Sequence, residues 1–325
     1  MKIQSLLTLA VTSALITSAS ASITMDLVNV GNPGNAADTT GYGAVSYAYQ
    51  IGKHEVTNAQ YATFLNAADP NGANANGVYN ASMGSNARGG ITYTAGAASG
   101  AKYTLRTSMG DKPVNYVSWY DAARFANWMM NGQGAGSTET GAYTLTGNTG
   151  IITKNSGATV YLPSEDEWYK AAYYDPTPGA GGGDNYWLYA SQSDTVPTVA
   201  AANATGDITN PGANVVNYAS GADWNSQNGN VTTVGSAAAN NYFGTADQGG
   251  NVIEWNDAVI SGSSRGRRGG SFVVSEVGLR ASGRGNNDPA FENFDIGFRV
   301  ASVPEPTSLL LTMLAGGVML ARRKR

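Results

Sequence analysis

Only three short segments of this chain carry a complete helix-start signal, and they stand among long stretches of Gly, Ala, Asn, Ser and Thr. Thr57 is followed three residues later by Gln60, which makes a capping box, and Tyr61, Phe64, Leu65 and Ala68 then share one helical face. Ser118 heads a second helix, with Asp121 in its first turn and Ala122, Phe125, Ala126, Met129 and Met130 behind it. Ser164 caps a third, with Glu167 at the capping-box position and Trp168, Ala171 and Ala172 directed inward. Short alternating runs at 45–51, 158–162, 270–274 and 297–300 read as strands. The loop-like stretches, roughly 68–111, 131–158 and 177–233, are interspersed with Tyr and Trp and carry little charge. They are therefore expected to be packed, irregular loops rather than solvated linkers. Few helices, short strands and abundant loop predict an irregular, loop-rich α+β fold in one domain.

Composition removes much chemistry. The 325 residues include no Cys, one His and 42 Gly. Without Cys there is no disulfide framework, no thiolate metal site and no thiol nucleophile. A single His cannot build a multi-histidine iron or zinc site. The formal net charge is −4, so no basic face for nucleic acid is implied.

Both ends read as addresses. Residues 1–21 have Lys2, an apolar run at 6–16 and the small-residue exit Ala19-Ser20-Ala21, the pattern of a secretory signal peptide cleaved near Ala21. At the other end, 303–325, Val303-Pro304-Glu305-Pro306 precedes an apolar run at 309–321 and the cluster Arg322-Arg323-Lys324-Arg325. That run is shorter than the roughly 20 residues that span a bilayer comfortably. The three parts together resemble the PEP-CTERM sorting signal of exported bacterial proteins. This resemblance implies exosortase-type machinery as a partner, membrane contact only through the tail, and a final place at the cell surface or in the extracellular matrix. Between 22 and 303, 14 basic residues stand against 22 acidic ones, so the body is near −8. Such a balance disfavours anionic partners and suits neutral polymers, cations or polar small molecules.

Three apparent catalytic signals have plainer readings. Gly262-Ser263-Ser264-Arg265-Gly266 fits G-x-S-x-G, but a nucleophile elbow needs a strand before it and a helix after it. Glu165, Asp166 and Glu167 complement the positive end of their own helix. His54 reads as a surface or internally satisfied residue.

Six blocks in order carry a stronger signal. They run 51–61 (IGKHEVTNAQY), 113–122 (PVNYVSWYDA), 162–168 (LPSEDEW), 249–255 (GGNVIEW), 268–272 (RGGSF) and 295–299 (DIGFR). Together they resemble the formylglycine-generating enzyme, or sulfatase-modifying factor, family over 22–302. The resemblance implies a C-type-lectin-like fold. It also implies a copper(I) site on two cysteines, but those positions fall near Glu276 and Ala281, and a carboxylate and a methyl group cannot replace two soft thiolates. Copper and formylglycine generation are therefore not expected. The branch that uses histidine-bound iron fails too, because there is no His cluster.

Calcium is the cofactor that the resemblance leaves in place. Carried over by position, Asp247 and Glu254 would give carboxylate oxygens, and Gly250 and Val252 backbone carbonyls, as hard calcium requires. Asn217, Tyr218 and Asp223 would form a second site. Trp187, Tyr189 and Trp224, in loop-rich segments, are candidates for stacking on a sugar face. Two functions follow as expectations. One is an exported, non-catalytic binding or structural module, with polysaccharide as a candidate ligand. The alternative is a divergent enzyme of the same family that uses another metal or none, with Glu276, Arg280, Arg284 and Asp295 near its cleft.

Overall fold

The computed structural model describes residues 22–146 and 151–303. The expected leader (1–21) and the tail beyond Val303 lie outside the described residues. Among the described residues twelve short strands follow one another. They are β1 (Leu27–Val30), β2 (Tyr49–Gly52), β3 (Ile91–Tyr93), β4 (Tyr103–Leu105), β5 (Val160–Tyr161) and β6 (Thr198–Val199). The rest are β7 (Val215–Val216), β8 (Ile253–Ser261), β9 (Ser264–Arg268), β10 (Gly285–Asn287), β11 (Ile296–Phe298) and β12 (Ala301–Ser302). Four α-helices interrupt them among the described residues: α1 (Asn58–Ala68), α2 (Ser82–Ser85), α3 (Trp119–Met130) and α4 (Glu165–Tyr173). This is the mixed, loop-rich architecture expected. Among the described residues no helix is long and apolar enough to cross a membrane.

All three capping boxes form. Thr57, Ser118 and Ser164 each accept from the backbone N–H three residues on, and Gln60, Asp121 and Glu167 each reach back to the cap N–H. The faces they launch are buried: Tyr61, Phe64 and Leu65 from α1, Phe125 and Trp128 from α3, and Trp168 from α4. The rings from α1 and α3 meet edge to face in the main core, with Phe64 5.5 Å from Phe125 and Phe125 5.4 Å from Phe298, whereas Trp168 packs in a second cluster with Tyr169, Tyr173 and Tyr186.

Two four-stranded sheets frame that core. The first has the order β1-β2-β12-β5, so the strands nearest the two ends of the body lie in one sheet, both paired with β2. The second is β10-β9-β8-β11, in which β11 runs parallel to β8 with Gly297 opposite Glu254. That register brings the residue after β11, Arg299, up beside the start of β8.

Within the third Gly-rich stretch Tyr186, Tyr189, Tyr218 and Trp224 are all buried, and every described Trp indole N–H has an acceptor. The expected strand at 270–274 is instead a turn, because Gly269 and Gly270 hold φ of +95° and +69° and a side chain at 269 would press on the Gln248 carbonyl and Trp168. The expected strand at 297–300 is split between β11 and β12 at Arg299. The G-x-S-x-G segment is the hairpin between β8 and β9, with no helix after it, so it is not a nucleophile elbow.

Candidate functional site

The turn from Asp247 to Glu254 is held by a buried ion pair. Glu254 and Arg299 are both fully buried. Arg299 Nε donates to Glu254 Oε2 at 2.6 Å and Nη2 to Oε1 at 2.7 Å, a bidentate fork. Trp168 Nε1 also donates to Oε2, at 2.8 Å. The remaining guanidinium hydrogens go to the carbonyls of Gly52, Lys53 and Ala246, so all five Arg299 donors are satisfied. Asp247, at φ +60°, accepts from the Gly235 N–H, and its carboxyl is pushed up to about 6 by burial, with Glu254 adding to the rise. Glu55, a fourth member, is driven well above the usual carboxylate range by burial and by the neighbouring Asp247. One of its oxygens takes the Asn251 amide, and the other has no partner among the described residues.

This arrangement bears on calcium. Both Glu254 oxygens are engaged by a cation and an indole, so an ion held by Asp247, Gly250, Val252 and Glu254 would have to share the Glu254 carboxylate with Arg299 and Trp168. Among the described residues no three His, Asp or Glu side chains are grouped so as to hold a metal ion. The second set fits better in one respect. Asn217 is buried, its amide nitrogen donates to the Asn230 carbonyl and Thr232 hydroxyl, and its Oδ1 is left without a hydrogen-bond partner among the described residues. The Tyr218 carbonyl takes the Gly221 N–H, and exposed Asp223 takes the Gly229 N–H on Oδ1.

A surface cavity of about 250 Å³ opens elsewhere, between the segment at 38–40, the loop at 181–194 and the turn at 281–282. Its lining includes Asp38, Asp184, Asp194, Trp187, Ala281 and Ser282. Ala281, one of the two positions to which the copper cysteines were carried over, therefore backs onto this cavity. Glu276, the other, opens a single 3-10 turn at Glu276–Leu279 and is not in the lining.

Of the three aromatic candidates, Trp187 alone lines this cavity, half-buried, with its N–H on Asp175 at 3.1 Å. Tyr189 and Trp224 are buried, and Trp224 lies under the Lys112 ammonium, so neither ring offers a face to a sugar. The four charges expected near one cleft do not converge. Arg284 pairs with Glu165 at 2.7 Å, Asp295 accepts from Ser271 and Arg280 lies beside Tyr189. Glu165, Asp166 and Glu167 are structural: Glu165 also holds Arg268, Asp166 takes the Gly43 N–H, and Glu167 takes the Tyr47 and Tyr161 hydroxyls. His54 is half-buried and lowered to about 4, by burial first and then by Arg299. Asp38, Asp184 and Asp194 were not anticipated. The one local signal for them was the Gly181-Gly182-Gly183-Asp184 run, which marks a loop tip.

Comparison with known proteins follows this geometry. A family model described as the sulfatase-modifying factor enzyme 1-like domain matches residues 30–303. Among curated proteins none matches the sequence. Among solved structures, Treponema denticola variable protein 1 is 19% identical with a TM-score of 0.51, over 88% of this chain and 98% of that one. The crystal structure of CarF is 22% identical with a TM-score of 0.50, over 87% and 99%. At these identities the likeness concerns the fold alone.

Proposed function

This chain belongs to the sulfatase-modifying factor enzyme 1-like family, and from that premise we propose that it is an exported, non-catalytic binding module that recognises polysaccharide at the cell surface or in the matrix. One observation carries the reading. The chain has no Cys, and Ala281, near which one of the copper-ligand positions falls, lines a cavity of about 250 Å³. A cleft thus persists where thiolate chemistry cannot operate. The expected leader, the sorting tail and the acidic body support placement outside the cytoplasm with exosortase-type machinery as a partner, and they favour ligands that are not anionic.

Calcium enters the proposal at Asn217, whose free Oδ1 is the kind of hard oxygen that calcium takes, with Tyr218 and Asp223 nearby in sequence. The ion would brace the 217–230 loops and would take no part in chemistry.

The test is a glycan and polysaccharide panel read against residues 22–303, in calcium and then in EDTA. Saturable binding is expected, and it should weaken in EDTA. Turnover of a cysteine-containing peptide to an aldehyde would overturn the non-catalytic reading. Absence of binding across the panel would overturn the polysaccharide assignment.

A further inference from the structure

The cavity beside Ala281 has a definite charge character. Three carboxylates line it, from Asp38, Asp184 and Asp194, and among the described residues no Lys, Arg or His does. The two exposed ones are oriented by the backbone. Asp184 Oδ1 accepts from the Tyr186 N–H at 3.0 Å and Asp194 Oδ1 from the Leu188 N–H at 2.9 Å. No hydrogen bond within the described residues uses the Oδ2 of either one. Asp38 is nearly buried and already accepts from the hydroxyls of Thr39, Thr40 and Tyr169, so it contributes mainly negative potential.

Half-buried Trp187 and exposed Ser282 line the same cavity. An aromatic face suits both the apolar face of a sugar ring and a cation above it. A bare metal ion is a poor match, because these carboxylates do not form a metal-holding group among the described residues. A cavity of this size takes a single ring better than an extended chain.

We propose that this cavity binds a sugar that carries a protonated amine, one unit of a glucosamine-type glycan. Asp184 and Asp194 accept from the ammonium, and Trp187 lies under the ring. The proposal rests on the binding-module reading and narrows its ligand from polysaccharide in general to an amine-bearing one. It adds a specific physical demand: recognition must require positive charge on the ligand and these two aspartates on the protein. The body, near −8, would also favour the encounter.

The test titrates the purified protein calorimetrically with a glucosamine oligomer at a pH where its amines are protonated, and with the fully N-acetylated oligomer of equal length. Asp184→Asn and Asp194→Asn are assayed in parallel. Both side chains are exposed, and an amide oxygen can keep the backbone hydrogen bond, so the melting temperature serves as the control for folding. The glucosamine oligomer is expected to bind at least about tenfold more tightly than its acetylated partner, and each variant to lose about tenfold, as for a charge-assisted hydrogen bond. Equal affinity for the acetylated oligomer would overturn the amine assignment and leave the binding-module reading standing. Binding that is unchanged in the Asp184→Asn/Asp194→Asn double variant would place the glycan elsewhere and overturn the site. Tighter binding of a short oligolysine through the same aspartates would make the occupant a protein cation and overturn the sugar. If neither oligomer binds while another glycan in the panel does, the proposal fails and the broader reading survives.

Discussion

Replacing Arg299 by Met tests what holds the centre of this fold. The substitution keeps the apolar stem and removes a guanidinium whose five hydrogens are all in use. Glu254 would then be a fully buried carboxylate with only the Trp168 indole as donor. Removing one partner of a buried pair typically costs about 3–5 kcal/mol, because the remaining charge is uncompensated. The carbonyls of Gly52, Lys53 and Ala246 also lose donors, at roughly 1 kcal/mol each before relaxation. Some of these losses overlap, so the expected cost is about 4–6 kcal/mol. At about 2 °C per kcal/mol for a domain of this size, the melting temperature should fall by roughly 10 °C. Calorimetry and urea unfolding should be run on Arg299→Met, Glu254→Gln and the double variant. The double variant should be less destabilised than the sum of the singles by about 2–3 kcal/mol, since it leaves no orphan charge. A fall of less than about 2 °C for Arg299→Met, or a cycle that closes additively, would refute the claim that this pair is the central brace.

Two further outcomes follow from the same structure. Glu292 and Asp257 are each pushed up to about 7, mainly by burial, and a carboxyl whose folded value exceeds its unfolded value of about 4 contributes stability that is lost as pH rises through 7. The urea midpoint should therefore be higher near pH 6.5 than near pH 8, with His54, half protonated at 6.5 when unfolded, opposing by a smaller amount, and Glu292→Gln should reduce the difference; a midpoint that rises with pH would contradict this. Gly250→Ala should cost about 2–4 kcal/mol, because φ is +81° and the new Cβ would collide with the Asn217 carbonyl. Gly249→Ala, which meets only the Ala190 methyl at 3.6 Å, should stay within about 1 kcal/mol, and equal costs in chemical denaturation would refute the steric reading.

The helix starts at Thr57, Ser118 and Ser164 were legible in the sequence because a capping box is closed within four residues, whatever the rest of the chain does. The six blocks were legible as a resemblance, and the family model confirms the domain over 30–303. The missing cysteines needed no structure at all, since a thiolate site cannot exist without them.

What a charged or aromatic side chain does with its neighbours was decided only in three dimensions. Glu254 reads from its own turn as a free calcium ligand, yet its partners are Arg299, 45 residues away, and Trp168, 86 residues away. Tyr189 and Trp224 sit in loops rich in small polar residues, but those loops fold back and bury them. Asp184 and Asp194 are ordinary loop residues in the sequence. They share one loop with Trp187, and what only the fold decides is that the segments at 38–40 and 281–282 come up against that loop to form the cavity, through contacts that no local window contains.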